Sequence, residues 1–340
     1  MPEVDRLRYL PIYLKTAEDL ADLTPQLKTQ LRATTMIGFD LDGTIVNNGS
    51  EFPQLGILSL KDTTLLTTIV SGAGALGVMG KISKSMTNLQ VSSISDLFSG
   101  PVICNEGAII LRNSTRLASV TVRDVISETI ISPPAIRSAF ERIYQLPSTS
   151  INFMGFYPSV SQNKFDPFQY VFFAKDDEKA KELKNRYGSK STSVDKVETL
   201  LEAMIDLGAS KIVIQPSTTV ATINDIVANL KKTCLSAEVN EGYINIVDGT
   251  INKGLVLKRV GQLIGQPQVK PNNTIFFGND FNDLTALLDS KISIIVDSNP
   301  ILSHNLVNRL TNLDRRGLTL IIDPLLVNNI LILISQLHHG

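Results

Sequence analysis

The chain has 340 residues, of which 43% are hydrophobic and 19% charged, a composition typical of a globular protein with two domains or one large one. Its 32 basic and 33 acidic residues give a formal net charge of -1, which argues against a nucleic-acid partner and against binding to a membrane surface. The two cysteines form no CxxC pair and there are only three histidines, so zinc sites, disulfide frameworks and histidine-based triads are not expected. The cysteine usage and the lack of an early apolar run lead us to expect a cytoplasmic protein.

Residues 1–33 are predicted to form an N-terminal extension with helical stretches, although Pro25 argues against a continuous helix. After them, short apolar runs alternate with helical patterns, and each run ends at a polar residue or a glycine. Such runs are typical of parallel strands buried on both faces, and ligands bind at the carboxyl ends of such strands. The predicted strands are residues 36–39, 65–70, 102–104, 274–277 and 292–296. The apolar stretch 318–337 contains Asp323 and Pro324, so we expect a strand and a helix there and no membrane span.

The middle of the chain, about residues 108–245, has a different pattern. We expect strands at residues 119–122, 169–173 and 211–214, and helices at residues 134–146, 176–187 and 220–232. The predicted fold class is therefore α/β. A Rossmann-like parallel-sheet core, residues 34–107 and 246–340, would carry an inserted α+β domain at residues 108–245.

Asp40 and Asp42 follow the first predicted strand, two residues apart. In an extended chain both side chains would face the same side, where two carboxylates repel each other and need a cation or a shared proton. Mg²⁺ prefers oxygen ligands, and one carboxylate could then attack phosphorus while the other acts as acid and later as base. Gly43 would let the backbone approach a phosphate closely. The same residues also suit a simple turn after a strand.

The longer string FDLDGT, residues 39–44, resembles the first motif of the haloacid-dehalogenase-like superfamily, whose members are mostly Mg²⁺-dependent phosphatases. The resemblance implies that Asp40 is the nucleophile. The second motif of that superfamily is a Ser or Thr that binds the transferring phosphoryl group. The string TIVSG, residues 68–72, matches it and assigns this role to Ser71 and Gly72. Many sugar-phosphatase relatives have Arg after this glycine, whereas this chain has Ala73.

The third motif is a lysine that pairs with the nucleophile and the phosphate, and Lys253 occupies it, before a glycine and a helical pattern. A lone lysine is more often a solvated surface charge, but the order of the motifs favours the functional assignment. The fourth motif normally reads Gly-Asp-x-x-Asn-Asp and supplies metal ligands. This chain has GNDFND at residues 278–283, so either Asn279 or Asp280 would complete the metal site. A helix-capping cluster is the alternative for this segment. The resemblance implies the metal ligands Asp40, Asp42, Asn279, Asp280 and Asp283, and adds Asn282 to the phosphate-binding residues.

The resemblance implies an Mg²⁺-dependent phosphatase that forms an aspartyl phosphate. Its substrate would be a small phosphorylated metabolite, either a sugar phosphate or a phosphorylated sugar acid. The insert begins after NEGA, residues 105–108, which is similar to an Asn-x-Gly-Ala stretch in phosphatases with a large α/β cap, with Glu106 as an extra residue.

Two alternatives remain at this stage. A catalytically weak family member used for binding or regulation is motivated by Ala73 and Asn279. A nicotinamide-dependent oxidoreductase is motivated by GAGALG, residues 72–77, a formal dinucleotide fingerprint with Asp96 about 20 residues further on.

Overall fold

The computed structural model describes residues 11–46, 52–85, 91–144, 151–162, 168–217, 220–230, 232–240, 242–267, 269, 273–313 and 317–339. Its strands are β1 (Ile12–Leu14), β2 (Met36–Phe39), β3 (Leu66–Val70), β4 (Val102–Cys104), β5 (Ile109–Leu111), β6 (Val125–Glu128), β7 (Ile151–Pro158), β8 (Tyr170–Ala174), β9 (Ser191–Ser193), β10 (Ala209–Pro216), β11 (Leu235–Asn240), β12 (Tyr243–Asp248), β13 (Thr274–Gly278), β14 (Ile292–Val296) and β15 (Leu318–Ile322). Its helices are α1 (Ala17–Ala21), α2 (Pro25–Arg32), α3 (Gln54–Leu60), α4 (Ala75–Ser85), α5 (Pro133–Tyr144), α6 (Asp177–Tyr187), α7 (Val197–Asp206), α8 (Val220–Leu230), α9 (Lys253–Leu263), α10 (Leu284–Asp289), α11 (Pro300–Asn312) and α12 (Val327–His339).

Within the described residues, the first sheet has the strand order β1-β15-β14-β13-β2-β3-β4-β5-β6. The strands from β1 to β4 in this order run parallel, whereas at one edge β5 runs antiparallel to β4 and β6 runs antiparallel to β5. Strands β2, β3, β13 and β14 are buried along their whole length, which explains why each reads as an apolar run without alternation. The α/β class and the parallel core predicted from these runs are confirmed.

The second sheet has the order β11-β12-β10-β7-β8-β9. On one face its apolar residues pack with those of α5, α7 and α8, and on the other face aromatic residues pack with α6. Each of α5, α6 and α8 begins within one residue of a predicted helix, because each places apolar residues at helical spacing along one buried face. This sheet and its helices form the inserted α+β domain, which we call the cap; the other sheet and its helices are the core.

Strand pairing divides the chain at different places from the predicted boundaries. Strands β5 and β6 lie within residues 108–245 but extend the core sheet, because β5 turns back along β4. Strand β12 carries the cap sheet on to Asp248. Strand β1 lies within the predicted N-terminal extension and pairs parallel with β15, so part of that extension belongs to the core sheet.

One local prediction is corrected by the structure. Residues 119–122 are not a strand, because Asp124 accepts hydrogen bonds from the backbone N and hydroxyl of Thr121 at 2.7 and 2.8 Å and closes a 3-10 turn at Val122–Asp124. No continuous helix runs through Pro25, as predicted, because α1 ends at Ala21 and α2 begins at Pro25. Proline's missing N–H is no loss at the first position of a helix, and Thr24 caps that end by accepting from the backbone N of Leu27.

The C-terminal apolar stretch forms β15 followed by α12, as predicted. No helix within the described ranges is both long and apolar enough to cross a membrane.

Helix α12 carries a titratable contact with α2. The Nε2 atom of His338 lies 3.2 Å from the carbonyl oxygen of Leu31, and partial burial lowers the pKa of His338 below its usual 6.5. The unfolded chain therefore binds a proton at a pH where the folded protein does not. The free-energy cost of keeping His338 unprotonated in the folded protein is absent well above pH 6.5. This cost grows as the pH falls from 6.5 to the lowered pKa of His338 in the folded protein.

We therefore expect His338→Gln to lose less stability than the wild type between about pH 8 and pH 5, measured as the free energy of urea unfolding. His339→Gln is the matched control, because His339 is exposed and next in sequence. An unchanged pH dependence in His338→Gln would contradict the prediction.

Candidate active site

The predicted site residues come from neighbouring strands. In the core sheet β2 lies between β3 and β13, and all three run parallel, so their carboxyl ends share one edge. Asp40 follows β2, Ser71 follows β3, and the segment 279–283 follows β13. Helix α9 brings Lys253 to the same edge, with Asn252 capping its first turn by accepting from the backbone N of Leu255 at 2.8 Å. The structure thus brings together four segments that are far apart in sequence.

Lys253 lies between two buried carboxylates. Its Nζ donates to Oδ1 of Asp40 at 2.7 Å and to Oδ1 of Asp283 at 2.7 Å. Burial raises the pKa of Asp40 well above its usual value, and repulsion from Asp283 adds to the rise. Burial opposes the ammonium form of Lys253, but Asp283 and Asp40 outweigh it and raise the pKa of Lys253. One ammonium group faces two carboxylates, so these three residues favour the arrival of a further positive charge.

Asp283 also fixes the loop after β13. Its Oδ2 accepts from the backbone N of Asn279 at 2.9 Å and from that of Asp280 at 3.2 Å. The carboxylate of Asp280 accepts from the backbone N of Phe281, and the segment caps a 3-10 turn at Phe281–Asp283. The alternative interpretation of residues 278–283, a helix-capping cluster, is therefore correct for their local structure. Both oxygens of Asp283 are engaged in holding Lys253 and the loop.

Asp40 and Asp42 do not face the same side, as an extended chain would require. The chain leaves β2 after Phe39 and turns, with Gly43 at a φ of 74°. Asp40 is buried, whereas the side chain of Asp42 is 53% exposed and bonds to Nζ of Lys81 on α4 at 2.5 and 2.6 Å. Sequence reasoning missed Lys81, because only the packing of α4 beside the turn brings the two together.

The hydroxyl of Thr44 lies near side-chain oxygen atoms of two residues, Asp40 after β2 and Asn279 after β13. This hydroxyl lies 3.5 Å from Oδ2 of Asp40 and 3.1 Å from Oδ1 of Asn279. A Cβ at position 43 would lie 2.0 Å from Nδ2 of Asn279, so glycine is required for this approach. No group of three or more His, Cys, Asp or Glu side chains suited to a metal occurs in the part of the chain that the structure describes. A carboxylate and an amide oxygen beside uncompensated negative charge are nevertheless donors that fit Mg²⁺.

The segment after β3 forms a tight loop. Ser71 is buried and its Oγ accepts from the backbone N of Ala73 at 3.1 Å. The carbonyl oxygen of Gly72 accepts from Nζ of Lys211, which comes from β10 of the cap, at 2.8 Å. Asn282 is buried, and a Cβ at position 72 would lie 3.4 Å from its Nδ2. Ser71, Gly72 and Asn282 therefore lie close together.

A second buried ion pair lies behind this loop. Nζ of Lys211 is 3.5 Å from Oε1 of Glu106, and both side chains are buried. Burial lowers the pKa of Lys211, against the opposing effect of Glu106. Sequence reasoning assigned neither residue to the site. The available signal was a lysine at the head of the apolar run 211–214, because a buried lysine needs an acidic partner.

The dinucleotide fingerprint has a different local structure. Its glycines form the turn that leads into α4, which begins at Ala75. Asp96 lies in a 3-10 turn at Ile94–Asp96, whereas a dinucleotide site requires the acid at the end of a second strand. Residues 72–77 therefore form a glycine-rich turn that leads into a helix, which does not match the arrangement of a dinucleotide site.

A sequence model of the family described as haloacid dehalogenase-like hydrolase matches residues 37–303. The chain belongs to this family. The match includes all four motifs, from Asp40 to Asp283, and runs through the cap. No curated protein matches the sequence significantly.

Solved structures with the same fold cover nearly the whole chain. The HAD subclass IIB sugar phosphatase BT4131 is 14% identical, with a TM-score of 0.60 over 90% of this chain and 99% of that chain. The protein SMU.1108c from Streptococcus mutans is 13% identical, with a TM-score of 0.63 over 90% of this chain and 100% of that chain. TM0651 from Thermotoga maritima is 17% identical, with a TM-score of 0.59 over 89% and 97%. At these identities the similarity establishes a shared fold, including the cap.

Proposed function

We propose that this member of the family is an Mg²⁺-dependent phosphatase that hydrolyses a small phosphorylated metabolite, with Asp40 as the nucleophile. The observation that carries the proposal is the buried contact between Asp40 and Lys253 at the carboxyl ends of the central strands. A carboxylate held by an ammonium group beside a loop of small residues suits in-line attack on phosphorus. One structural neighbour is described as a sugar phosphatase, which supports a sugar phosphate or a phosphorylated sugar acid as substrate.

In this mechanism Asp40 attacks phosphorus through Oδ2, since Oδ1 is bonded to Lys253. The bond from phosphorus to the leaving oxygen breaks, and Asp42, released from Lys81, gives that oxygen a proton. Asp42 then accepts a proton from water as the water attacks the aspartyl phosphate, and phosphate leaves with Asp40 restored. An ammonium group has three donors, so Lys253 keeps one for a phosphoryl oxygen beyond its bonds to Asp40 and Asp283. The hydroxyl of Ser71 supplies another donor.

Asp40 and Asn279 are the residues that would hold Mg²⁺, through a carboxylate and an amide oxygen. The ion would supply the positive charge that two carboxylates, one ammonium group and a phosphate lack between them. Asp280 would add charge to the same region.

Phosphate release from p-nitrophenyl phosphate and from acetyl phosphate tests the proposal. We expect release that requires Mg²⁺ and stops when EDTA is added. No release from either compound, with no Mg²⁺ binding by titration calorimetry, would instead support a binding or regulatory role.

The amide at position 279 has a measurable consequence. Because Asn279 carries no charge, we expect Asn279→Asp to lower the Mg²⁺ concentration that gives half-maximal turnover by about tenfold, and Asn279→Ala to raise it. Calorimetric Mg²⁺ binding should follow the same order. Asn299→Asp is the matched control, because Asn299 caps α11 through Oδ1 and an aspartate can do the same. Equal Mg²⁺ dependence in Asn279→Asp and the wild type would show that position 279 does not ligate the metal.

A further inference from the structure

Glu106 is a buried carboxylate in a strained turn at the end of β4. Asn105 and Glu106 have φ angles of 52° and 58°, in the left-handed region that non-glycine residues seldom adopt. Neither carboxylate oxygen of Glu106 accepts a hydrogen bond from any described residue, and the nearest cation, Lys211, is 3.5 Å away. A buried carboxylate without a donor from the protein is costly, so this arrangement calls for an explanation.

The same chain satisfies a comparable carboxylate fully. Glu128, at the end of β6, accepts from the backbone N of Val160 at 2.6 Å and from that of Ser161 at 3.0 Å. It also accepts from the hydroxyls of Ser159 at 3.0 Å and Ser161 at 2.7 Å. Glu128 is less buried than Glu106 yet has four donors. A purely structural carboxylate in this protein is thus surrounded by donors, whereas Glu106 is not.

Glu106 lies next to the proposed phosphoryl site. Its backbone N donates to the carbonyl oxygen of Ser71 at 3.3 Å, and a Cβ at position 72 would meet Oε1 of Glu106 at 2.2 Å. Glu106 and Lys253 line one small cavity between the core and the cap. The cap contributes Ser236, Glu238 and Asn245, and Asn252 completes the polar lining. With the cap docked the cavity volume is about 10 Å³, room for one water molecule, so a larger group enters only as the cap moves away.

The polar residues that line this cavity favour a ligand that carries hydroxyl groups. An ionised carboxylate only accepts hydrogen bonds, and apart from the ammonium group of Lys253, which is held by Asp40 and Asp283, the two carboxylates, two amides and one hydroxyl here offer mostly acceptors. Hydroxyl groups of a ligand can donate to them, while a ligand carboxylate is repelled. Lys211 does not reverse this preference, because its ammonium group already donates to Gly72 and pairs with Glu106.

We propose that Glu106 is a specificity-determining residue that accepts hydrogen bonds from hydroxyl groups of the leaving group. Glu106 thereby selects a neutral polyol or sugar phosphate over a phosphorylated sugar acid. This assignment rests on the proposed phosphatase activity and narrows its substrate class.

A linear six-carbon series tests the assignment. Sorbitol 6-phosphate carries hydroxyls, hexyl phosphate carries none, and 6-phosphogluconate adds a carboxylate. We expect the wild type to hydrolyse sorbitol 6-phosphate with a kcat/KM about 10- to 100-fold above that for each of the others. In Glu106→Gln, which keeps the shape but removes the charge, the disadvantage of 6-phosphogluconate should shrink by about tenfold. In Glu106→Ala the advantage of sorbitol 6-phosphate over hexyl phosphate should be lost.

Each value is divided by kcat/KM for p-nitrophenyl phosphate in the same preparation, so partial unfolding of a variant cancels. Glu128→Gln is the matched control, because it removes a half-buried carboxylate with no place in the cavity, and its ratios should equal those of the wild type. Ratios in Glu106→Gln and Glu106→Ala equal to those of the wild type would overturn the assignment, as would a wild type without preference in the series. Either result leaves the phosphatase proposal standing if p-nitrophenyl phosphate is hydrolysed. If the wild type releases phosphate from no compound, the phosphatase proposal fails and the assignment fails with it.

Discussion

Asp40→Asn is expected to reduce kcat for p-nitrophenyl phosphate at least about 10,000-fold while the protein stays folded. An amide cannot form the acyl phosphate, so the proposed covalent route is closed. The amide oxygen can still accept from Lys253, and the substitution removes the repulsion between Asp40 and Asp283. Because burial raises the pKa of the Asp40 carboxyl, its ionised form costs folding free energy above its usual pKa. We therefore expect a metal-free Tm no lower than that of the wild type near neutral pH.

Asp323→Asn is the matched control for this variant. Asp323 also follows a parallel strand, β15, but that strand is three places away from β2 in the sheet. Its Oδ1 caps a 3-10 turn by accepting from the backbone N of Leu325, which an asparagine can also do. Turnover by Asp323→Asn should match the wild type. Turnover by Asp40→Asn within about tenfold of the wild type would rule out Asp40 as the nucleophile.

Lys253→Met is expected to abolish turnover and also to lower the free energy of unfolding, by about 3–5 kcal/mol in the metal-free protein. The methionine fills the space of the aliphatic stem but leaves Asp40 and Asp283 buried without their shared cation. Protonated carboxyl groups need no cation, so the loss should be larger at about pH 8 than at about pH 5. Urea unfolding at both values measures it, and Mg²⁺ should restore part of the lost stability.

Lys258→Met is the control on the same helix. Lys258 pairs with Asp289 at 2.7 Å, but both side chains are substantially exposed, so its removal should cost at most about 1 kcal/mol. Equal losses of unfolding free energy for Lys253→Met and Lys258→Met would contradict the prediction. They would mean that water screens the charges around Lys253 as well as it screens the exposed pair.

The central strands were predictable because a strand that is buried on both faces appears in the sequence as a continuous apolar run. Strands β4 and β14 match the predicted runs 102–104 and 292–296, and the strand ends place Asp40, Ser71 and Asn279 at one edge. Strands β5 and β6 were not separated from the cap, since sheet membership depends on which neighbour a strand pairs with. The stretch 119–122 has β-branched residues, yet a side-chain capping interaction within four residues outweighed that preference.

The charge pairs of the site were predictable only where a motif fixed both partners. Lys253 and Asp40 lie 213 positions apart, but each occupies a recognisable motif. Lys81 and Lys211 do not, and each finds its acidic partner through packing. Lys81 reaches Asp42 because α4 lies beside the turn after β2, and Lys211 reaches Glu106 because β10 of the cap lies over the end of β4. Contacts of this kind depend on how preformed elements dock, and no local pattern encodes that.

The bond from Lys211 to the carbonyl of Gly72 has an evolutionary consequence. Strand β10 lies inside the cap sheet, between β12 and β7, whereas β11 lies at its edge and carries Ser236 and Glu238. A substitution that shifts β10 is transmitted through Lys211 to the loop proposed to hold the phosphoryl group, so a change of substrate selectivity made there would also alter the chemistry. A substitution of Ser236 or Glu238 on β11 changes the lining of the cavity at the sheet edge. Diversification of substrate preference should therefore accumulate on the edge strand, while the inner strand stays under the same constraint as the proposed nucleophile.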